Sequence, residues 1–84
     1  MTFSVSWDPK AAKYVEKLHK DVAARIIEHV DKVAVEPFKF LEHFEGECYK
    51  LRIGDHRGLV DIDLQNKVLR IRVFDKRGRV YKKK

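Results

Sequence analysis

Three cationic side chains crowd a short turn. Lys50, Arg52 and Arg57 lie in the stretch "CYKLRIGDHRGLVDID", residues 48 to 63. Apolar and polar residues alternate on both sides of Gly54-Asp55, which reads as two strands joined by a tight two-residue turn. That register sets Arg52 opposite Arg57 and Lys50 opposite Leu59, all on one face. Like charges directly across a strand pair are destabilising, so the arrangement calls for a counter-charge. Two sources are open: Asp55, Glu45, Glu47 or Asp75 folds over the cations, or an external anion belongs between them. Phosphate suits the second, because a guanidinium fork matches two of its oxygens at once. A second two-residue turn at Gln65-Asn66 would carry the face onward. Asp61 then falls opposite Arg70 as an ordinary charge pair, and Leu59 falls opposite Arg72. Arg72 thereby joins the patch, and Lys76 and Arg77 follow where the last strand leaves the sheet.

The distribution of charge points the same way. The chain has 84 residues and a formal net charge of +6. Residues 70 to 84, "RIRVFDKRGRVYKKK", hold eight Lys or Arg against one Asp, a net of +7, so residues 1 to 69 sum to −1. A concentrated basic end is the electrostatic footprint of a polyanion binder, and it is equally the composition of a solubilising tail. No apolar run approaches the ~20 residues of a membrane helix. No charged start is followed by an apolar block of the kind a signal peptide has, and the lone Cys48 cannot form an internal disulfide. A cytoplasmic protein is expected. His19, His29 and His43 have no metal-ligand spacing and are expected to be solvated; no metal or cofactor is implied.

The elements that position the cations follow from periodicity. Residues 2 to 7, "TFSVSW", alternate Phe3, Val5 and Trp7 with polar residues, as a half-buried strand does. Asp8-Pro9 then reads as a helix cap and first turn. From Lys10 to Val35 the apolar residues recur every three or four positions. One helix over that span would be ~40 Å long, against ~30 Å for a compact domain of this size. A break near His19 to Asp21, giving a helical hairpin, is therefore expected. Pro37 ends the second helix. The connection "FKFLEHFEGE" carries three phenylalanines expected to pin it over the core. Three strands follow, with Tyr49, Leu51, Ile53, then Val60, Ile62, Leu64, then Leu69, Ile71, Val73 as the core-facing sets. The expected fold is α+β in the order β-α-α-β-β-β: a strand, a helical hairpin and a three-stranded antiparallel meander, as a single domain over residues 1 to 84. One face of the meander packs on the helices; the other is polar, cationic and free to act.

Taken in order, these pieces resemble a known family. The run "YKLRIGDHRGLVDID" followed by "VLRIRVFDKRGRVY" is similar to the RelE toxins of the RelE/ParE superfamily, the toxin halves of prokaryotic toxin–antitoxin pairs. The resemblance also takes in the opening "FSVSWDPKAAKYVEKL", the helix "VAARIIEHVDKV" and the connection containing Pro37. Its most specific part is the ordered set Tyr49-Lys50-x-Arg52, Gly54-Asp55-x-Arg57, and Arg77 four residues before Tyr81. His56 stands where relatives often carry an aromatic residue.

The resemblance implies a RelE-like microbial RNase-type sheet and a ribosome-dependent mRNA endonuclease that cuts in the A site. It implies a cognate RelB-like antitoxin as partner, with the ribosome and mRNA as targets, and neither metal nor cofactor. By position, the implied catalytic residues are Lys50, Arg52, Arg57, Arg77 and Tyr81. Arg72, Lys76, Arg79, Lys82 and Lys83 are the expected RNA-binding residues around them. In metal-free RNA cleavage the 2′-hydroxyl attacks the adjacent phosphorus, leaving a 2′,3′-cyclic phosphate and a 5′-hydroxyl. Arg57 and Arg77 suit stabilisation of the phosphorane charge. Lys50, whose charged form Arg52 and Arg57 crowd, is a better base than an arginine. Tyr81 is placed to stack on a base or protonate the leaving oxygen. No ready acid–base couple is present, which fits a family that relies on the ribosome to position its substrate. Two other readings stay open: a ParE-like inhibitor of DNA gyrase, which need not retain the cationic set, and a degenerate toxin that keeps only its antitoxin binding.

Overall fold

The computed structural model describes residues 2 to 76. Its elements are β1 (Ser4–Trp7), α1 (Pro9–Glu16), α2 (Lys20–Val35), α3 (Pro37–Phe40), β2 (Glu42–Glu45), β3 (Cys48–Ile53), β4 (His56–Asp63) and β5 (Val68–Asp75). The expected α+β order holds, with two additions in the connection after Pro37: the single turn α3 and the strand β2. All five strands form one sheet in the order β1-β5-β4-β3-β2. β1 runs parallel to β5, and the other neighbours are antiparallel. The Cα radius of gyration is 11.9 Å.

The helices break where size required it. The last turn of α1 tightens, with the Lys17 amide donating to both Lys13 and Tyr14 carbonyls and the Leu18 amide to Val15. His19, expected to be merely solvated, caps α2: its Nδ1 accepts from the Asp21 amide at 3.3 Å. Asp8 departs from expectation in the other direction. It occupies the cap position of α1, but its carboxylate makes no cap bond. Its Oδ1 instead accepts from Arg70 Nε at 2.6 Å, tying the start of α1 to β5.

One face of the sheet and one stripe of each long helix make the core. Ala11 and Val15 of α1 and Ile26, Val30, Val33 and Ala34 of α2 pack on Leu51, Ile53, Val60, Ile62, Leu69, Ile71 and Phe74. Each fully buried Leu, Ile or Val contributes roughly 1.5–3 kcal/mol relative to exposure, so this one layer carries most of the driving force.

Three expectations about the core fail, each for a local reason. β5 carries one extra residue: Val60 pairs with Ile71 but Leu59 pairs with Val73, leaving Arg72 as the bulged position. A bulge shifts the face of everything beyond it. Val73 therefore turns outward and Phe74, 4% exposed, turns in. The β4–β5 connection is also longer than two residues. It spans Leu64 to Lys67, with Lys67 at φ 57, and leaves Leu64 exposed. Finally, the phenylalanines of the connection do not pin it. Phe38 and Phe40 are exposed, while Pro37 and Leu41 supply the burial.

Candidate functional site

The β3–β4 turn forms as the sequence indicated. Gly54 takes φ +59 and Asp55 does not, the pattern of a two-residue turn with its positive φ at the first central position. The ladder then sets Arg52 opposite Arg57 and Lys50 opposite Leu59. These side chains belong to the outer face, because Leu51, Ile53, Gly58 and Val60 between them are buried. Neither Arg52 nor Arg57 forms an ion pair among the described residues. Lys50 Nζ lies 5.6 Å from the centroid of the Phe44 ring on β2, a cation–π contact. The register also places Glu42 beside Lys50 and Asp75 beside Arg57. Asp75 was one of the carboxylates that could answer the cations. Its Oδ1 accepts from the Lys76 amide at 2.6 Å.

Arg72 does not extend the patch in the expected way. The bulge sets Val73, not Arg72, opposite Leu59. Arg72 Nε instead lies 3.7 Å from Asp61 Oδ2. Asp61 does pair in register with Arg70, but Arg70 spends its guanidinium on Asp8, and that contact raises the Arg70 pKa more than Asp61 does. Cys48 completes this second cluster. Burial and the neighbouring Asp61 push its thiol pKa up, partly opposed by Arg72. A thiol held protonated in this way is a poor nucleophile. Among the described residues no three His, Cys, Asp or Glu side chains are grouped to hold a metal ion.

His56 is not a bare turn residue. Its ring stacks on Phe74 with centroids 5.6 Å apart and planes 8° from parallel. Tyr14 of α1 meets both rings edge-on at 6.0 Å. Burial, then the Asp75 charge, push the Tyr14 phenol pKa up, opposed by a hydrogen bond with the Lys76 backbone. Gly58 makes room for this cluster: a Cβ there would stand 2.6 Å from Phe74 Cδ1 and 2.8 Å from the Val73 carbonyl oxygen. The cluster braces the turn from below while Arg52 and Arg57 project above it. The one clue to it came with the resemblance, in which relatives often carry an aromatic residue at the His56 position; the partners Tyr14 and Phe74 arrive only through the tertiary fold and the bulge.

The structure thus brings Lys50, Arg52 and Arg57 together and gives Arg72 a carboxylate partner. Lys76 lies just past β5, near the hairpin tip. Arg77, Arg79, Tyr81, Lys82 and Lys83 fall outside the described residues. No described helix is long and apolar enough to cross a membrane.

A five-stranded sheet with a parallel first strand, two helices on one face and a cationic hairpin tip on the other defines a RelE-like toxin fold. Residues 5–81 match the family described as the ParE toxin of type II toxin–antitoxin system, parDE. The chain belongs to this family, and so is a type II toxin–antitoxin toxin of the RelE/ParE superfamily. Among solved structures it is similar to the archaeal RelE–RelB complex of Pyrococcus horikoshii, at 29% identity and a TM-score of 0.77, over 94% of this chain and 99% of that one. It is also similar to the RelBE2 toxin–antitoxin complex of Mycobacterium tuberculosis, at 20% identity and a TM-score of 0.81, over 89% of this chain and 98% of that one. A substituted Escherichia coli RelE in the free state matches at 18% identity and a TM-score of 0.78, over 96% of this chain and 92% of that one. The last two establish likeness of fold. No curated protein matches the chain significantly.

Proposed function

We propose that this toxin is a ribosome-dependent mRNA endonuclease, that residues 1 to 84 make up one toxin domain, and that it works in the cytoplasm. The carrying observation is the Arg52–Arg57 pair. Arg52 and Arg57 are direct register partners on the outer ladder with no ion pair among the described residues, at a like-charge cost that a bound phosphate would offset. In this reading Arg57 and Arg77 stabilise the phosphorane formed when the 2′-oxygen attacks. Arg52 orients the scissile phosphate, and Lys50 accepts the 2′-hydroxyl proton. Tyr81 stacks on a base or protonates the departing 5′-oxygen. Arg72, Lys76, Arg79, Lys82 and Lys83 hold the RNA and ribosome backbone around that centre. The metal-free scheme follows from the resemblance to RelE. A RelB-like antitoxin as neutralising partner follows from the RelE–RelB complexes of similar fold.

The family description favours a second reading, since it names ParE toxins: inhibition of DNA gyrase without RNA cleavage. One experiment separates the two. Purified protein is added to a translating extract and mRNA ends are mapped by primer extension, beside Arg52→Ala and Arg57→Ala variants; a gyrase supercoiling assay runs in parallel. Cuts at A-site codons that both variants lose support the nuclease. Intact mRNA with blocked supercoiling supports the gyrase reading and sinks the nuclease.

A further inference from the structure

The tip of the β3–β4 hairpin has a second side. Beneath it, a groove of about 360 Å³ runs between α2, the Gly54-Asp55 turn and the residue following β5. Arg25 of α2 and Lys76 line it, together with Asp55 and His56 of the hairpin and the aliphatic side chains of Val22 and Ile53. Arg25 and Lys76 are exposed, and neither forms an ion pair among the described residues. Two cations against the single Asp55 carboxylate leave the lining net positive before Arg57 is counted. Arg57 follows His56 directly in the chain but projects from the opposite face. The groove and the Arg52–Arg57 pair are therefore two sides of one hairpin tip, and a polyanion rounding that tip meets both.

We propose that this groove is a subsite for an mRNA nucleotide flanking the cleaved position. Arg25 and Lys76 hold its phosphate, and its base lies against the aliphatic wall of Val22 and Ile53. A positively charged groove that tracks the backbone binds single strands without reading sequence; here aliphatic side chains stand where such grooves present aromatic rings. The inference rests on the mRNA reading above and adds to it Arg25, a residue on a helix remote in sequence from the cationic strands. Asp55 limits the site by repelling phosphate from the turn side, so its charge has a measurable sign.

The test is a backbone-amide NMR titration with single-stranded oligoribonucleotides whose 2′-hydroxyls are methylated, so that none is cleaved. A hexanucleotide is expected to shift the amides of Val22, Arg25, Asp55, His56 and Lys76 together with those of Arg52 and Arg57. Arg25→Glu weakens hexanucleotide binding about tenfold, one charged contact's worth, and flattens the salt dependence by about 0.7 per phosphate released. It leaves a dinucleotide, too short to round the tip, unaffected. Asp55→Asn changes hexanucleotide binding in the opposite direction. Shifts confined to the outer face, with Arg25→Glu binding like wild type, overturn the subsite and leave the nuclease reading standing. An absence of shifts on either face overturns the subsite, while the primer-extension experiment above decides the nuclease reading separately. Groove shifts produced by an acidic peptide but not by RNA assign the groove to a protein partner and overturn the subsite.

Discussion

Gly58 is the position where the smallest change should cost the most. A methyl group there would stand 2.6 Å from Phe74 Cδ1 and 2.8 Å from the Val73 carbonyl oxygen, whereas carbon atoms in contact settle at about 3.5–4.0 Å. The ring must retreat by roughly 1 Å. Phe74 is 4% exposed and packed against both His56 and Tyr14, which also touch each other, so a shift of its ring disturbs the whole cluster. The carbonyl is part of the β5 backbone and cannot rotate away as a side chain does. Overpacking of this kind costs about 1–3 kcal/mol, and replacing a strand glycine returns about 0.5–1 kcal/mol. Gly58→Ala should therefore lose about 1–2 kcal/mol net, a fall in Tm of about 5–15 °C for a chain this short. Urea unfolding followed by circular dichroism measures it. The Phe74→Leu variant identifies the cause. If the ring is the obstacle, the double variant loses less than the sum of the singles, because neighbours in contact couple. A Gly58→Ala protein within about 0.5 kcal/mol of wild type, or losses that add, would refute the steric account of this strand.

Three further outcomes follow from the same structure. Cys48 should react slowly with iodoacetamide at pH 8 in the folded protein and at the ordinary rate in urea, since burial and Asp61 raise its thiol pKa and shrink the thiolate fraction; equal rates would contradict that environment. Asp63 accepts from the Asn66 amide at 3.0 Å and from Asn66 Nδ2 at 2.8 Å, which lowers its carboxyl pKa below the usual value of 3.8. A depressed folded pKa gives stability that is present above the unfolded value and lost as pH falls through the folded one. Asn66→Ala should thus be less stable than wild type at pH 7 and converge on it below the usual carboxyl range, as denaturation midpoints at a series of pH values will show. Arg57→Gln should leave stability unchanged or raise it by about 0.2–1 kcal/mol at low salt, by removing a like-charge pair. That gain should fade at ionic strengths of about 0.1 M and above, and it is read from urea midpoints at two salt concentrations.

Much of the architecture was legible because it depends on period and on size. The apolar stripe of α2 and the alternation of β3 and β4 need only the chain's own pattern. The helical break needs only the conflict between ~40 Å of helix and a body with a radius of gyration of 11.9 Å. What escaped were features in which one extra residue or one distant partner decides. The bulge at Arg72 is invisible to an alternation count, because "RIRVF" reads as regular; the β-propensity of Val73 and Phe74 is the same whichever of them faces inward. Asp8 looks like a cap by type, and only the fold brings Arg70 within 2.6 Å of it. β2 went unseen because "EHFE" has no apolar alternation to bury; it is an edge strand held by its ladder with β3.

The candidate site was legible for a different reason: it breaks a rule. Every other cation of the outer ladder that the structure describes has been given an accommodation. Arg70 has Asp8, Arg72 has Asp61, and Lys50 has the face of Phe44. Arg52 and Arg57 confront each other, and the turn between them is braced by His56, Phe74 and Tyr14 so that neither strand can slip to relieve the contact. A fold that merely needed a soluble outer face would place opposite charges across this ladder, as it does at Asp61 and Arg70. In the reading proposed above, two arginines paired across one hairpin cost the free protein a little stability, and an arriving anion offsets that cost. This is how a preorganised site differs from a stable surface. The sign of the Arg57→Gln effect separates the two. A loss of more than about 1 kcal/mol, beyond the range of an exposed pair, would mean that Arg57 is held structurally, through the Asp75 beside it in the ladder, and the phosphate reading of the turn would lose its main support.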